Sequence, residues 1–343
     1  MSGALTIHDP GPSAARDRAD GVAPAELPFR VPGGGEIRFG TASWTDPTLT
    51  RGAVFYPAGV DSPEDRLRYY ASRFSLVEVD STYYAIPARR MAELWRERTP
   101  EHFTFDLKAH ALMTGQPTEV RRLPPELRDA LPPSLAEKER IYGKDLPPDL
   151  YDEVWRLFLD ALEPLRSSGK LGSILLQYPR WFNPGAESRE RILEARERLG
   201  DVASAVELRN ALWFSGRNAE GTLRFLEEHR IPFVMVDEPQ GFRSSVPPVE
   251  VVTSPRLAVI RFHGRNAANW ERPGVSVAER FRYLYDRQEL AEWVPRIGET
   301  AGRVRETHVI MNNCYSNYGT TNAAEIAEMV RQVYGTAGPR IAE

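Results

Sequence analysis

Four stretches of this chain carry ionisable residues at alternate positions: Glu78 and Asp80 in VEVDST, Asp106, Lys108 and His110 in FTFDLKAH, Glu207 and Arg209 in AVELRN, and Arg261 and His263 in VIRFHG. Alternate residues of an extended strand share a face. Each polar set therefore opposes an apolar set: Val77 and Val79, Phe105 and Leu107, Val206 and Leu208, Ile260 and Phe262. Helices pack on apolar faces, so the ionisable sets should point away from the helices into a shared interior. Charged side chains are rarely buried without partners. Their concentration near the ends of the runs predicts a site.

The residue types suggest the chemistry. Glu207 fits a general base or an orienting carboxylate, beside the anion-binding guanidinium of Arg209. Lys108 fits an electrostatic catalyst, or a desolvated base or Schiff-base nucleophile. With His263, these two make the catalytic set. The plain alternative is a plug of structural ion pairs. Arg261, His263 and Arg265 surround Gly264, and Asn312 and Asn313 follow in the last run, so both segments suit an anion. Arg209, Glu78, Asp80, Trp44 and His110 complete the expected binding set. The carboxylates are expected to pair deeper, leaving Arg261 and Arg265 free beside Gly264 and Asn312.

A divalent metal held by His110, Glu207, Asp237 and His263 is the sharper alternative, because such N/O sets suit hard or borderline ions. No HExxH is present, and no cofactor is otherwise expected. Cys314 reads as a small buried residue. GxSxG, P-loop and dinucleotide fingerprints are missing, which argues against those classes. Trp44, Tyr83, Tyr84, Tyr178, Trp181, Trp213, Phe214 and Trp270 gather near the same run ends, where some could stack on a sugar or a nucleobase.

Eight strand-like runs position these residues: 37–44, 76–82, 103–110, 172–179, 204–210, 232–238, 257–264 and 307–313. Helical periodicity separates most of them, at 63–74, 88–98, 151–166, 187–199, 219–229, 288–298 and 322–334. Asp61 or Ser62 would cap the first, with Pro63 at its first position. Alternating β and α implies parallel strands. The one-sided polarity favours a single closed (β/α)8 TIM-type barrel in the α/β class over an open sheet, whose strands would be apolar on both faces. The barrel is expected over 36–336. An insert at 111–150 is a candidate lid, and 239–256 carries no helix signal. Residues 1–35, rich in Pro, Gly, Ala and Asp, read as a disordered leader, and 337–343 as a tail.

The 343 residues carry a net charge of -4, so no global basic footprint for nucleic acid exists. A single cysteine excludes an internal disulfide framework. No apolar run approaches a membrane span, and the N-terminus lacks the apolar core of a secretory signal. A cytoplasmic protein is expected.

GTASW, FYP, RLRYYASRFSLVEVDSTYY, the K-A-H at 108–110, ELRN with WF, RFHGRN, YLYDRQELAEW and the M-N-N at 311–313 resemble the domain-of-unknown-function 72 (YecE-like) family, in order, from Ile37 to Tyr334. The resemblance implies a TIM-type barrel and assigns no activity. Where the family form resembles E-F-R-H, this chain has Leu208 and Asn210. Where the family has E-I-N-S-T, it has Asp80 in place of Asn, adding a charge to the mouth. The favoured reading is an enzyme acting on an anionic small molecule, a phosphorylated or carboxylated sugar or nucleotide, by hydrolytic or lyase/isomerase chemistry. The alternatives are a nucleic-acid-binding or metal-dependent nuclease-like protein, and a non-catalytic binding protein.

Overall fold

Eight strands run parallel around a barrel: β1 (Glu36–Ala42), β2 (Leu76–Val79), β3 (Thr104–Lys108), β4 (Leu171–Tyr178), β5 (Ser204–Leu208), β6 (Val234–Asp237), β7 (Leu257–Phe262) and β8 (Glu306–Met311). The structure is a computed structural model and describes residues 9–51 and 54–335. Parallel ladders join β1 through β5 and β6 through β8, and β8 pairs with β1 from Glu306↔Glu36 to Met311↔Thr41. The last seam, between β5 and β6, is a parallel bridge from Val206 to Phe233, where the Val206 amide donates to the Pro232 carbonyl at 2.8 Å. The closed parallel barrel predicted from the eight runs is the observed fold.

Helix α1 (Gly11–Ala19) precedes the barrel. Around it lie α2 (Pro63–Ala71), α3 (Arg89–Glu97), α4 (Pro148–Ser167), α5 (Ala186–Leu199), α6 (Asn218–Glu228), α7 (Val294–Ala301) and α8 (Tyr318–Tyr334). The Ser62 hydroxyl accepts the Asp65 amide at 3.0 Å and starts α2, with Pro63 at the first helical turn. After β6 the chain runs through 239–256 without a helix, as its proline-rich sequence predicts. No helix among the described residues is long and apolar enough to cross a membrane.

Strand parity divides the core. Outward residues such as Phe39, Val77, Phe105 and Ile260 pack with Leu67, Trp95, Phe158 and Leu162 of the helices. Inward residues Ala42, Leu76, Leu175, Ala205, Val234, Val259 and Ile310 form a separate apolar cluster. Along β4, Leu175 stands between Ser173 and Gln177. Along β8, Ile310 stands between His308 and Asn312. The lumen is therefore layered, with an apolar plug between two polar tiers. In the lower tier, His308 Nδ1 pairs with Asp106 at 2.7 Å and the Ser173 hydroxyl donates to Asp106 at 2.9 Å. Glu306 reaches His308 at 3.6 Å and Arg38 at 3.8 Å. The upper tier is the mouth.

The leader departs from expectation. Over its described part it is ordered: α1 lies on α8, Ala15 is buried, and the Thr321 hydroxyl donates to the Ala15 carbonyl at 3.0 Å. Phe29 and Arg30 pair antiparallel with Ile37 and Glu36. Composition alone suggested that this segment could not bury enough surface to fold. The face of α8 carrying Asn317, Thr321 and Glu325 supplies the partners that hold it, through the Pro12 carbonyl, the Ala15 carbonyl and the Arg18 guanidinium. Residues 1–8 of the leader and the tail at 337–343 lie outside the described residues.

The insert is built into the body. It holds a two-stranded antiparallel ribbon, Thr118–Glu119 against Arg140–Ile141, and two short helices, Pro125–Asp129 and Pro133–Ala136. Leu112, Val120, Leu127, Leu135 and Ile141 are buried in the main core. Its Gln116 touches the mouth, accepting from the Tyr83 hydroxyl at 2.9 Å and donating to the Gln177 carbonyl at 3.1 Å.

A candidate active site: the charge network at the barrel mouth

Arg261, inward on β7, is fully buried and lies between two carboxylates. One guanidinium nitrogen bonds Glu207 Oε2 and the other bonds Glu78 Oε1. Glu207 Oε1 also accepts from Gln177 Nε2 at 2.8 Å and Arg209 Nη1 at 3.2 Å, and lies 3.1 Å from His263 Nε2. Three donors thus converge on Oε1 and one on Oε2, so Glu207 is densely hydrogen-bonded. Burial would raise its pKa, but Arg261, His263 and Arg209 together hold it well below the usual range. Four donors therefore hold this carboxylate ionised and fixed in place.

His263 stands between Glu207 and Asn312. The Asn312 amide nitrogen lies 2.8 Å from His263 Nδ1. An amide N–H can only donate, so Nδ1 accepts and Nε2 carries the proton toward Glu207. Burial, with Arg209 and Arg261 close by, pushes the imidazole down to about 3 and keeps it neutral against the pull of Glu207.

Glu78 differs from Glu207. Its Oε1 meets Arg261, while its Oε2 is buried without a hydrogen-bond partner among the described residues. Burial pushes its carboxyl up to about 8, and neighbouring Asp80 adds to this against the pull of Arg261 and Lys108. Lys108 Nζ lies 3.7 Å from Asp80 and 4.8 Å from the centre of the Tyr83 ring. Arg209 pairs with Glu238 at 2.8 Å and covers the Trp270 ring at 4.8 Å. Glu238 is buried, which lifts it to about 7 despite Arg209. Lys108 and Arg209 keep side chains 15% and 16% exposed, so they are the cations of the tier that a molecule at the mouth can reach.

The structure thus joins Glu78, Asp80, Lys108, Glu207, Arg209, Arg261, His263 and Asn312 in one tier. It does not leave Arg261 free, because both of its end nitrogens are taken. Nor is Arg265 free: it clasps Asp237 at 2.9 and 2.7 Å and reaches Glu292 at 3.0 Å. Asp237 has outward parity and also accepts from Tyr285 and Trp293, each at 2.8 Å. Asn313 is outward too, donating to the Tyr283 carbonyl and to Asn322. Trp44 packs edge-on against Trp95 at 6.0 Å in the helical layer. Gly264, at φ +82°, serves packing: a Cβ there would come within 2.8 Å of the Tyr283 Cβ. His110 is fully buried and both ring nitrogens lack partners among the described residues, so burial takes it down to about 4. Among the described residues no hydrogen bond or ion pair ties it to the tier.

The expected metal set therefore does not assemble. Asp237 faces the helices and Glu207 is engaged by four donors. Among the described residues no group of three or more His, Cys, Asp or Glu side chains is placed to hold an ion. Cys314 is half-buried and donates to the Ala42 carbonyl at 3.1 Å. Two network members escaped the sequence reading, Gln177 and Glu238. Both follow from the parity rule once it is applied to β4 (Ser173, Leu175, Gln177) and β6 (Val234, Val236, Glu238).

The chain matches the family model "Protein of unknown function DUF72" over residues 38–342. It is 30% identical over 307 residues to the UPF0759 protein YunF of Bacillus subtilis (strain 168), spanning 89% of this chain and 98% of that one. It is 28% identical over 159 residues to the UPF0759 protein YecE of Escherichia coli (strain K12), spanning 45% and 53%. Two solved structures of DUF72 family proteins are similar in fold. The one from Thermotoga maritima MSB8 has a TM-score of 0.67 at 29% identity, over 86% of this chain and 99% of that one. The one from Enterococcus faecalis V583 has a TM-score of 0.65 at 27% identity, over 88% and 98%. The barrel, its motifs and these likenesses agree: the chain belongs to the DUF72 family.

Proposed function

We infer that the protein is an enzyme that moves a proton on an anionic small molecule held at the mouth of the barrel, a phosphorylated or carboxylated sugar or nucleotide. The observation that carries this reading is the contrast between Glu78 and Glu207. They share Arg261, yet one is driven toward its protonated form and the other toward its ionised form. Carboxyl groups pushed apart in this way are the mark of acid–base sites. Glu78 Oε2 carries the transferable proton. Glu207, Arg261, His263 and Asn312 form a rigid frame beneath it. Lys108 and Arg209 contact the anionic group, and Tyr83 and Trp270 border it.

Charge balance gives the reading a pH signature. Lys108, Arg209 and Arg261 face Glu78, Asp80, Glu207 and Glu238. With Glu78 and Glu238 protonated the tier is cationic; as they ionise, near 8 and 7, an anion meets growing repulsion. Affinity should fall across that interval. The test is a panel of phosphorylated and carboxylated sugars and nucleotides, followed for binding and turnover. Turnover lost in Glu78→Gln, with KM raised in Lys108→Ala and Arg209→Ala, is the expected result. Binding without turnover would reduce the protein to a binding module. Affinity only for an oligonucleotide, falling steeply with salt, would replace the small-molecule reading.

A further inference from the structure

Outside the barrel wall, the insert, α4 and α5 enclose a second cleft of about 490 Å³, within the range of small-molecule sites. Tyr178 and Phe182 form one wall, Tyr142 and Gly143 of the insert another, and Tyr151 and Arg198 a third. Tyr178 is the outward-facing residue at the end of β4, so its ring enters this cleft instead of the lumen. Gly143 makes the enclosure possible. A Cβ there would stand 2.5 Å from the Leu112 carbonyl oxygen and 2.9 Å from the Tyr151 ring. None of the lining residues belongs to the charge network at the mouth.

Three independent features describe what would fit. The first is aromatic surface. Tyr178 stacks on Phe182 with ring centres 4.2 Å apart, Phe182 stacks on Trp213 at 5.7 Å, and Trp181 on the rim is 52% exposed. The second is an unmet polar atom. The Tyr178 hydroxyl is buried without a hydrogen-bond partner among the described residues. Tyr178 itself lines the cleft, beside Tyr151, Arg191 and Glu194. Leaving a buried hydroxyl unpaired is costly. The third is charge. Arg198 is taken by Asp152 at 2.7 Å and Glu194 at 2.9 Å, and Arg191 by Glu187 at 3.0 Å. Lys144, 5.7 Å from the centre of the Tyr142 ring, has no carboxylate partner among the described residues.

We propose that this cleft binds a small planar aromatic molecule bearing one anionic group, its ring against the exposed Trp181 and the edge of Phe182, its charge at Lys144, and a polar atom on the Tyr178 hydroxyl. Aromatic walls supply area and stacking. The free ammonium selects the charge, and the hydroxyl selects orientation. The site stands apart from the mouth and does not depend on the function assigned there.

The test uses the full chain and 2-naphthoate as probe, with neutral 2-naphthylmethanol and non-aromatic acetate as comparators, read by calorimetry and tryptophan fluorescence. Naphthoate should bind, naphthylmethanol more weakly, and acetate not at all. Tyr178→Phe should weaken naphthoate about 2- to 10-fold, the worth of one hydrogen bond, with Tm unchanged or slightly raised because no protein partner is lost. Lys144→Ala should weaken naphthoate about 2- to 5-fold and leave naphthylmethanol unaffected. Equal binding of the charged and neutral probes, or no binding, overturns the proposal. So does naphthoate binding that ignores both substitutions or that is lost in Glu78→Gln, which would place it at the mouth.

Discussion

Glu78 and Glu207 each bond one terminal nitrogen of the same guanidinium, yet four donors converge on Glu207 and, among the described residues, one on Glu78. One cation cannot compensate two buried carboxylates. Arg209 and His263 side with Glu207, and Glu78 keeps an unpartnered oxygen beside Asp80. Carbon-13 spectra of carboxyl-labelled glutamate should therefore show a resonance titrating near pH 8 that vanishes in Glu78→Gln. The Glu207 resonance should stay unchanged from neutrality down through the usual carboxylate range. If Glu78 titrates with the surface glutamates instead, the acid–base assignment is lost.

Arg261 is the keystone of this tier, so its removal should be felt in stability before anything else. Arg261→Ala would strand two buried carboxylates, and breaking a buried pair costs about 3–5 kcal/mol. Urea denaturation should show a loss of that order. The combined replacement Glu78→Gln, Glu207→Gln, Arg261→Met should recover much of it, because the desolvation penalty disappears with the charges. A single Arg261→Ala variant within about 1 kcal/mol of the parent, inside the range of an exposed pair, would mean that the network does not hold the barrel interior.

Alternation made much of the tier readable in advance. Glu78, Lys108, Glu207, Arg209, Arg261 and His263 all take inward positions late in their strands, and parity depends only on local geometry. The same rule separates Asp237 from Glu238, adjacent residues on opposite faces, and Asn312 from Asn313. Residue type favoured an acid or amide at each position, whereas parity selects one of the two. Pairing was not legible. Whether Arg261 meets a ligand or two carboxylates depends on which strands face each other across the lumen, at separations of 54 and 183 residues. The order of α1 was hidden for a similar reason. Its Ala15 is weakly apolar by itself and is buried only against α8, some three hundred residues away.

The lower tier predicts how stability varies with pH. His308 is buried, which opposes its charge, but Asp106 and Glu306 overcome this and raise it to about 9 from an ordinary 6.5. A raised folded value means that the stabilisation is complete below about 6.5 and is lost as pH climbs through about 9. Glu306, lowered to about 2 chiefly by His308, 3.6 Å away, acts in the other direction. Its contribution is present above the ordinary carboxylate value and is lost as pH falls toward 2. Chemical denaturation at pH 6 and pH 9.5 should show the parent losing about 2–3 kcal/mol more than His308→Gln over that interval. Parallel losses in parent and variant would remove His308 as the source.

Arg18 gives the sharpest test of the ordered leader. It grips Glu325 of α8 through two bonds of 2.9 and 2.6 Å and donates to the Tyr285 carbonyl at 2.7 Å. The Glu325 side chain is 1% exposed, while that of Arg18 is 27% exposed. Removing the arginine should therefore cost more than an open surface pair and less than a fully buried one, about 1–3 kcal/mol. The remaining Asn322 amide, at 3.0 Å, cannot neutralise Glu325. In Arg18→Ala combined with Glu325→Gln the uncompensated charge is gone, so the double variant should be more stable than the sum of the single losses predicts, by about 1–2 kcal/mol. If α1 did not rest on α8 in solution, Arg18→Ala would leave the urea midpoint where it was and the cycle would show no coupling.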